Sequence, residues 1–122
     1  MAGWGAATRI YLAAGATDLR KGFEGLYGLV RDRLESDPLS GHVFGFANRA
    51  RTRVKLLYFD GSGLWVCAKR LEKGKFRWPA GAAAKIALSP AELEMLLEGI
   101  DLMPTRKRPW YRRPTEDKCA GA

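Results

Sequence analysis

Two β-rich apolar runs, Leu56-Leu57-Tyr58-Phe59 and Leu64-Trp65-Val66-Cys67, flank the four-residue segment Asp60-Gly61-Ser62-Gly63. A short Asp/Gly turn between two such runs is a hairpin signal, because glycine accepts the positive φ that tight turns demand. The chain must therefore contain an antiparallel pair near its middle, and the remaining segments have to pack against it.

Those segments supply both strands and helices. Arg9 to Ala13 reads as a short strand stopped at Gly15. From Thr17 or Asp18, acting as cap, the spacing of Phe23, Leu26, Tyr27, Val30 and Leu34 predicts an amphipathic helix to about Ser36. Gly22, Gly25 and Gly28 weaken it, and they leave one side bare for close approach of a strand or a partner. Asp37-Pro38 ends it. His42 to Phe46 alternates with Phe44 and Phe46 on one face, and Ile86 to Leu88 is a further short strand. Ser89-Pro90-Ala91-Glu92 combines a serine cap, a proline at the first helical position and a glutamate at the third, which predicts a second helix with Leu93, Leu96, Leu97 and Ile100 on its apolar side. The order predicts an α+β fold, a mostly antiparallel twisted sheet with a central hairpin packed by two main helices. Residues 1–8 read as a loose N-terminus, 9–103 as one domain and 104–122 as a basic, flexible arm.

Charge says what such a domain would attract. The 122 residues carry 21 Lys and Arg against 13 Asp and Glu, a formal net charge of +8. A field of that sign draws polyanions, nucleic acid first among them. Nine of the basic residues fall between Arg49 and Arg77, where Asp60 and Glu72 are the acidic ones. If the approach to the hairpin is extended, Arg49, Arg51, Arg53 and Lys55 form a row on one face. Lys69, Arg70, Lys73, Lys75 and Arg77 follow the hairpin. Phosphate contacts by such cations release counterions, and exposed aromatic faces stack on unpaired bases. The candidate nucleic-acid contacts are these nine residues with Trp78, and Arg106 and Arg108 in the C-terminal arm. Phe59 and Trp65 are assigned to packing; Phe76 and Trp110 are left open.

Catalysis finds little footing. His42 is the single histidine and has no nucleophile in a recognisable context. Asp18 and Glu92 read as helix-start residues and Asp60 as a turn residue, leaving Glu72 and Asp101 without a partner motif. No phosphate loop of the GxxxxGK[ST] kind is present. Cys67 and Cys119 lack CxxC or Cys/His ligand spacing, so neither zinc nor a disulfide framework is indicated. No cofactor, metal or enzymatic role is expected. With no apolar run of about 18 residues and no leader-like start, the expected compartment is the cytoplasm and no membrane partner is expected.

Several longer stretches carry a resemblance. Thr17-Asp18-Leu19-Arg20-Lys21-Gly22-Phe23-Glu24-Gly25-Leu26, Asp37-Pro38-Leu39-Ser40-Gly41-His42-Val43-Phe44-Gly45-Phe46, Arg53-Val54-Lys55-Leu56-Leu57-Tyr58, Asp60-Gly61-Ser62-Gly63, Lys69 to Pro79, and Leu88-Ser89-Pro90 to Asp101 together resemble the Orf2-like TnpB accessory proteins of IS66 insertion sequences. These are distinct from the RNA-guided nucleases that share the name. The resemblance implies a bacterial, non-catalytic partner in transposition that works beside a separate transposase and acts at the nucleoid. Implied partners are DNA of the transposon ends, the transposase and other element-encoded proteins. Two alternatives stay open, an adaptor that docks an acidic protein without touching DNA, and an RNA-binding module using Phe76 and Trp78.

Overall fold

The computed structural model describes residues 8–79, 81 and 83–99. Five strands form one sheet in the order β4-β3-β2-β1-β5, with β1 at Ile10–Ala13, β2 at Val43–Ala47, β3 at Arg53–Phe59, β4 at Leu64–Arg70 and β5 at Lys85–Leu88. The pairs β1–β5, β2–β3 and β3–β4 are antiparallel, and β1–β2 is parallel. Helix α1 spans Phe23–Asp32 and α2 spans Pro90–Glu98. The predicted α+β class, mostly antiparallel sheet and two helices are present, and the predicted hairpin, β3–β4, forms one edge of the sheet.

The hairpin is closed by Asp60. Its Oδ1 accepts hydrogen bonds from the Ser62 and Gly63 amides, both at 2.9 Å, while Gly61 takes φ +103. Its Oδ2 accepts the Trp65 indole N–H at 2.6 Å, and the Trp65 ring stacks on Tyr58 with 6.2 Å between centroids. These donors hold the Asp60 carboxyl well below the usual carboxylate range, the indole contributing most. Phe59 is half-buried, as is Trp65.

Strand alternation divides the core in two. Phe44, Phe46 and Leu57 point to one face and pack with Leu26, Val30 and Leu34 from α1 and its end. Ile10, Leu12, Val43, Val54, Leu56 and Cys67 point to the other, where Leu93 and Leu96 of α2 meet Leu71, Phe76 and Trp78. The sheet is thus sandwiched between α1 on one side and α2 with the 71–78 segment on the other. The capping box at Ser89 is complete, with the Ser89 Oγ accepting from the Glu92 amide and Glu92 Oε1 accepting from the Ser89 amide.

Helix α1 is shorter than its periodicity predicts. Thr17 is no cap, because its amide donates to the Ala47 carbonyl at 2.8 Å and prolongs the β1–β2 pairing. The Asp18 carboxylate accepts from the Arg20 amide instead of capping a turn of helix, a local bond that competes with helix formation. The helix begins after Gly22, leaving Phe23 46% exposed. Glycine inside a helix costs about 1 kcal/mol relative to alanine, whereas each fully buried Leu or Val returns about 1.5–3 kcal/mol. Leu26 and Val30, fully buried, therefore outweigh Gly25 and Gly28. The bare side of the helix admits no strand: nothing lies within 4 Å of a Cβ built on Gly22, and only the Arg31 side chain touches one on Gly28.

Gly45 is a glycine that packing in the sheet requires. A Cβ there would lie 2.6 Å from Leu12 Cδ2, 3.1 Å from Leu56 Cδ2 and 3.6 Å from the Trp78 ring. Cys67 is buried on β4. Residues 1–7 and the arm 104–122, with Arg106, Arg108, Trp110 and Cys119, lie outside the described residues, so the expectations placed on them lie there too.

Gly45→Ala should destabilise the fold by about 1–3 kcal/mol through overpacking, read from the midpoint of urea unfolding. For Asp60, a folded pKa below the unfolded value of about 3.9 means that its contribution is present above that pH and is lost only as pH falls through the lower, folded value. The NMR resonance of the Trp65 indole N–H should accordingly hold its position as pH falls through 4 and move only in stronger acid; a shift centred in the ordinary aspartate range would contradict the hydrogen-bond account.

Candidate nucleic-acid interface

Topology gathers the cations at one end of the sheet. β1 and β2 finish there, at Ala13 and Ala47; β3 and β5 begin there, at Arg53 and Lys85; β4 finishes there, at Arg70. The connections at this end carry Arg20 and Lys21, Arg49 and Arg51, and Lys73, Lys75 and Arg77. At the opposite end sit Arg9, His42, Asp60 and the start of α2 with Glu92. Charge is therefore segregated along the strand direction.

The predicted row from Arg49 to Lys55 does not form. Residues 49–52 make a turn closed by Asn48, whose Oδ1 accepts from the Thr52 and Arg53 amides at 2.9 and 3.1 Å. Arg51 takes φ +63, its carbonyl accepts from the Phe76 amide at 2.7 Å, and its guanidinium donates to the Trp78 carbonyl at 3.2 Å. Arg51 is thus a fastener between the turn and the 71–78 segment. Lys55 is also diverted, since its Nζ donates to the Lys21 carbonyl at 3.0 Å. Arg49 and Arg53 remain exposed and make no side-chain hydrogen bond or ion pair among the described residues.

Trp78 leaves the candidate set. It is 6% exposed, and its indole N–H donates to the Ala13 carbonyl at 2.9 Å. Phe76 is buried beside it. A ring in the core cannot stack on a base. Lys75 and Arg77 alternate with these two aromatics and point outward, exposed. The aromatics anchor the segment, and the cations ride on its outer side.

Across the β3–β4 pair, Arg53 stands directly opposite Arg70 and Val54 opposite Lys69. Like charges in facing positions destabilise a sheet. Arg70 has compensation, from Glu72 at 3.0 Å. Asp18 is matched in the same way by Arg20, through three side-chain hydrogen bonds of 2.8–3.2 Å, which hold the Asp18 carboxyl far below its usual range. Asp18 and Glu72 are thus locally neutralised.

Between the β1–α1 loop and the 48–53 turn lies an open cleft of about 490 Å³, lined by Thr17, Asp18, Arg20, Asn48, Arg49 and Arg53 among others. Thr17, Arg20 and Asn48 escaped the sequence reading of the site. Thr17-Asp18 looks like a helix cap when read locally, and the available signal for Asn48 was its aptness for closing a turn through its own side chain.

Elsewhere the ionisable groups serve the fold. His42 Nδ1 accepts from the Arg9 amide at 3.1 Å and its ring meets Tyr11 edge-on. Among the described residues no group of three or more His, Cys, Asp or Glu side chains could hold a metal ion, and no helix is long and apolar enough to cross a membrane.

Residues 8–107 match the family described as "IS66 Orf2 like protein". The chain belongs to the IS66 Orf2-like family. Two relatives from Sinorhizobium fredii (strain NBRC 101917 / NGR234) are similar along most of their length. The uncharacterized protein y4hO is 42% identical over 93 residues, covering 76% of this chain and 81% of the relative. The uncharacterized protein y4jC is 36% identical over 108 residues, covering 88% and 92%. No solved structure matches. Membership of this family ties the chain to insertion-sequence transposition as an accessory protein.

Arg53→Thr removes one member of the facing Arg53/Arg70 pair and puts a good strand former in its place. It should raise stability by roughly 0.2–1 kcal/mol, seen as a higher urea midpoint with unchanged slope.

Proposed function

We propose that the protein serves transposition as a DNA-binding accessory factor, holding the transposon ends through the basic end of its sheet while the transposase performs the chemistry. One observation carries this reading. Arg49, Arg53, Lys75 and Arg77 face outward without carboxylate partners among the described residues, while Asp18 and Glu72 beside them are spoken for by Arg20 and Arg70. Phosphate is the ligand that such a set serves best, because each contact displaces condensed counterions. Burial of Phe76 and Trp78 withdraws the aromatic platform on which the RNA reading rested.

Four phosphate contacts give a salt slope of about −3.6, so affinity for an element-end duplex should fall roughly a hundredfold between about 50 and 200 mM salt. Fluorescence anisotropy on the full chain reads this directly. The triple variant Arg49→Glu, Arg53→Glu, Arg77→Glu should abolish binding while retaining a cooperative unfolding transition. An affinity that ignores salt, or survives the triple reversal, would sink the proposal. Capture of the transposase after nuclease treatment, with no DNA binding by the protein alone, would replace it by docking of these cations on an acidic protein surface.

A further inference from the structure

We propose that the cleft between the β1–α1 loop and the 48–53 turn is an oxyanion site that takes one phosphate group, held by the Thr17 hydroxyl and the Arg49 and Arg53 guanidiniums. That the phosphate belongs to a nucleic-acid strand rests on the function proposed above.

Three features of the cleft point to an anion. Its lining has Arg20, Arg49 and Arg53 against Asp18, a surplus of positive charge. Asp18 does not oppose an incoming anion as a bare carboxylate, since both of its oxygens already accept from Arg20. Thr17, which contributes to the wall, is 7% exposed, and its Oγ1 is shut off from solvent with no hydrogen-bond partner among the described residues. A buried hydroxyl without a partner is destabilising. Rotation about χ1 to another staggered well would turn the hydroxyl toward the cleft, where an oxyanion would accept its proton in a charge-assisted bond, among the stronger hydrogen bonds available to a protein.

The donors also stand on fixed backbone. Thr17 is tied to β2 through its amide and the Ala47 carbonyl, and Asn48 locks the turn that carries Arg49 and Arg53. Ala47 and Asn48 are consecutive, so one short stretch sets both walls of the cleft. A volume of about 490 Å³ falls within the range of small-ligand clefts and exceeds what a bare ion needs. A phosphate carrying its sugar fits the same chemistry.

The test compares wild type with Thr17→Val, Thr17→Ser and Arg49→Ala, using inorganic phosphate and a fluorescent duplex as probes. Valine keeps the shape of threonine and deletes the hydroxyl, so Thr17→Val should unfold no earlier than wild type without ligand. Phosphate should raise the unfolding temperature of wild type above that in chloride at equal ionic strength. Thr17→Val and Arg49→Ala should lose this response and bind the duplex about tenfold more weakly, and Thr17→Ser should restore both. Wild-type responses to phosphate and duplex in both Thr17→Val and Arg49→Ala would overturn the site and leave a salt-dependent DNA-binding rim standing. A phosphate response that depends on Thr17, in a protein that binds no DNA, would support the oxyanion site with free phosphate or a nucleotide as its source, and would overturn the nucleic-acid reading alone.

Discussion

The bond from the Trp78 indole to the Ala13 carbonyl joins residues 65 apart in sequence, and the arrangement of the basic end depends on it. Beside the ring the bare backbone of Gly45 leaves room for the Leu12 and Leu56 side chains that share its face of the sheet. With Trp78 and Phe76 seated, the backbone between Leu71 and Trp78 is pinned to the sheet, and Arg51 completes the fastening from the turn above. Lys75 and Arg77 then have no direction left but outward. The core thus dictates where the charge goes, and apolar packing and surface electrostatics are parts of one construction.

Legibility in the sequence followed the range of the interactions. The Asp60 turn and the Ser89 capping box are made by residues within five positions of each other, and both read correctly from spacing alone. The two facing apolar sets of the sheet were legible in part, through Phe44 and Phe46. What failed was decided by distant partners. Thr17 looks like a cap until Ala47 takes its amide, and Arg51 looks like part of an extended row until Phe76 claims its carbonyl. Trp78 looks like a stacking platform in a run of cations, yet a strand near the start of the chain buries it. The candidate cleft was illegible for the same reason, since its walls come from two loops about thirty residues apart.

Family membership and geometry speak to different halves of the question. The match over residues 8–107 places the chain among the IS66 Orf2-like accessory proteins of insertion sequences. The structure adds an asymmetry within the domain: one end of the strands is closed by caps and turns, and the other is crowded with guanidinium and ammonium groups, with Asp18 and Glu72 among them each paired to an arginine.

The Arg53/Arg70 opposition has a consequence beyond the ligand. β4 is an outer strand, with one row of backbone donors and acceptors unpaired within the sheet. Such an edge invites another chain to add a strand, and natural sheets deter this with cationic side chains. Lys69 and Arg70 close the far end of that edge with charge, so that a second copy approaching in register would set arginine against arginine. The charge that crowds this end of the sheet thereby also guards its open edge against self-association.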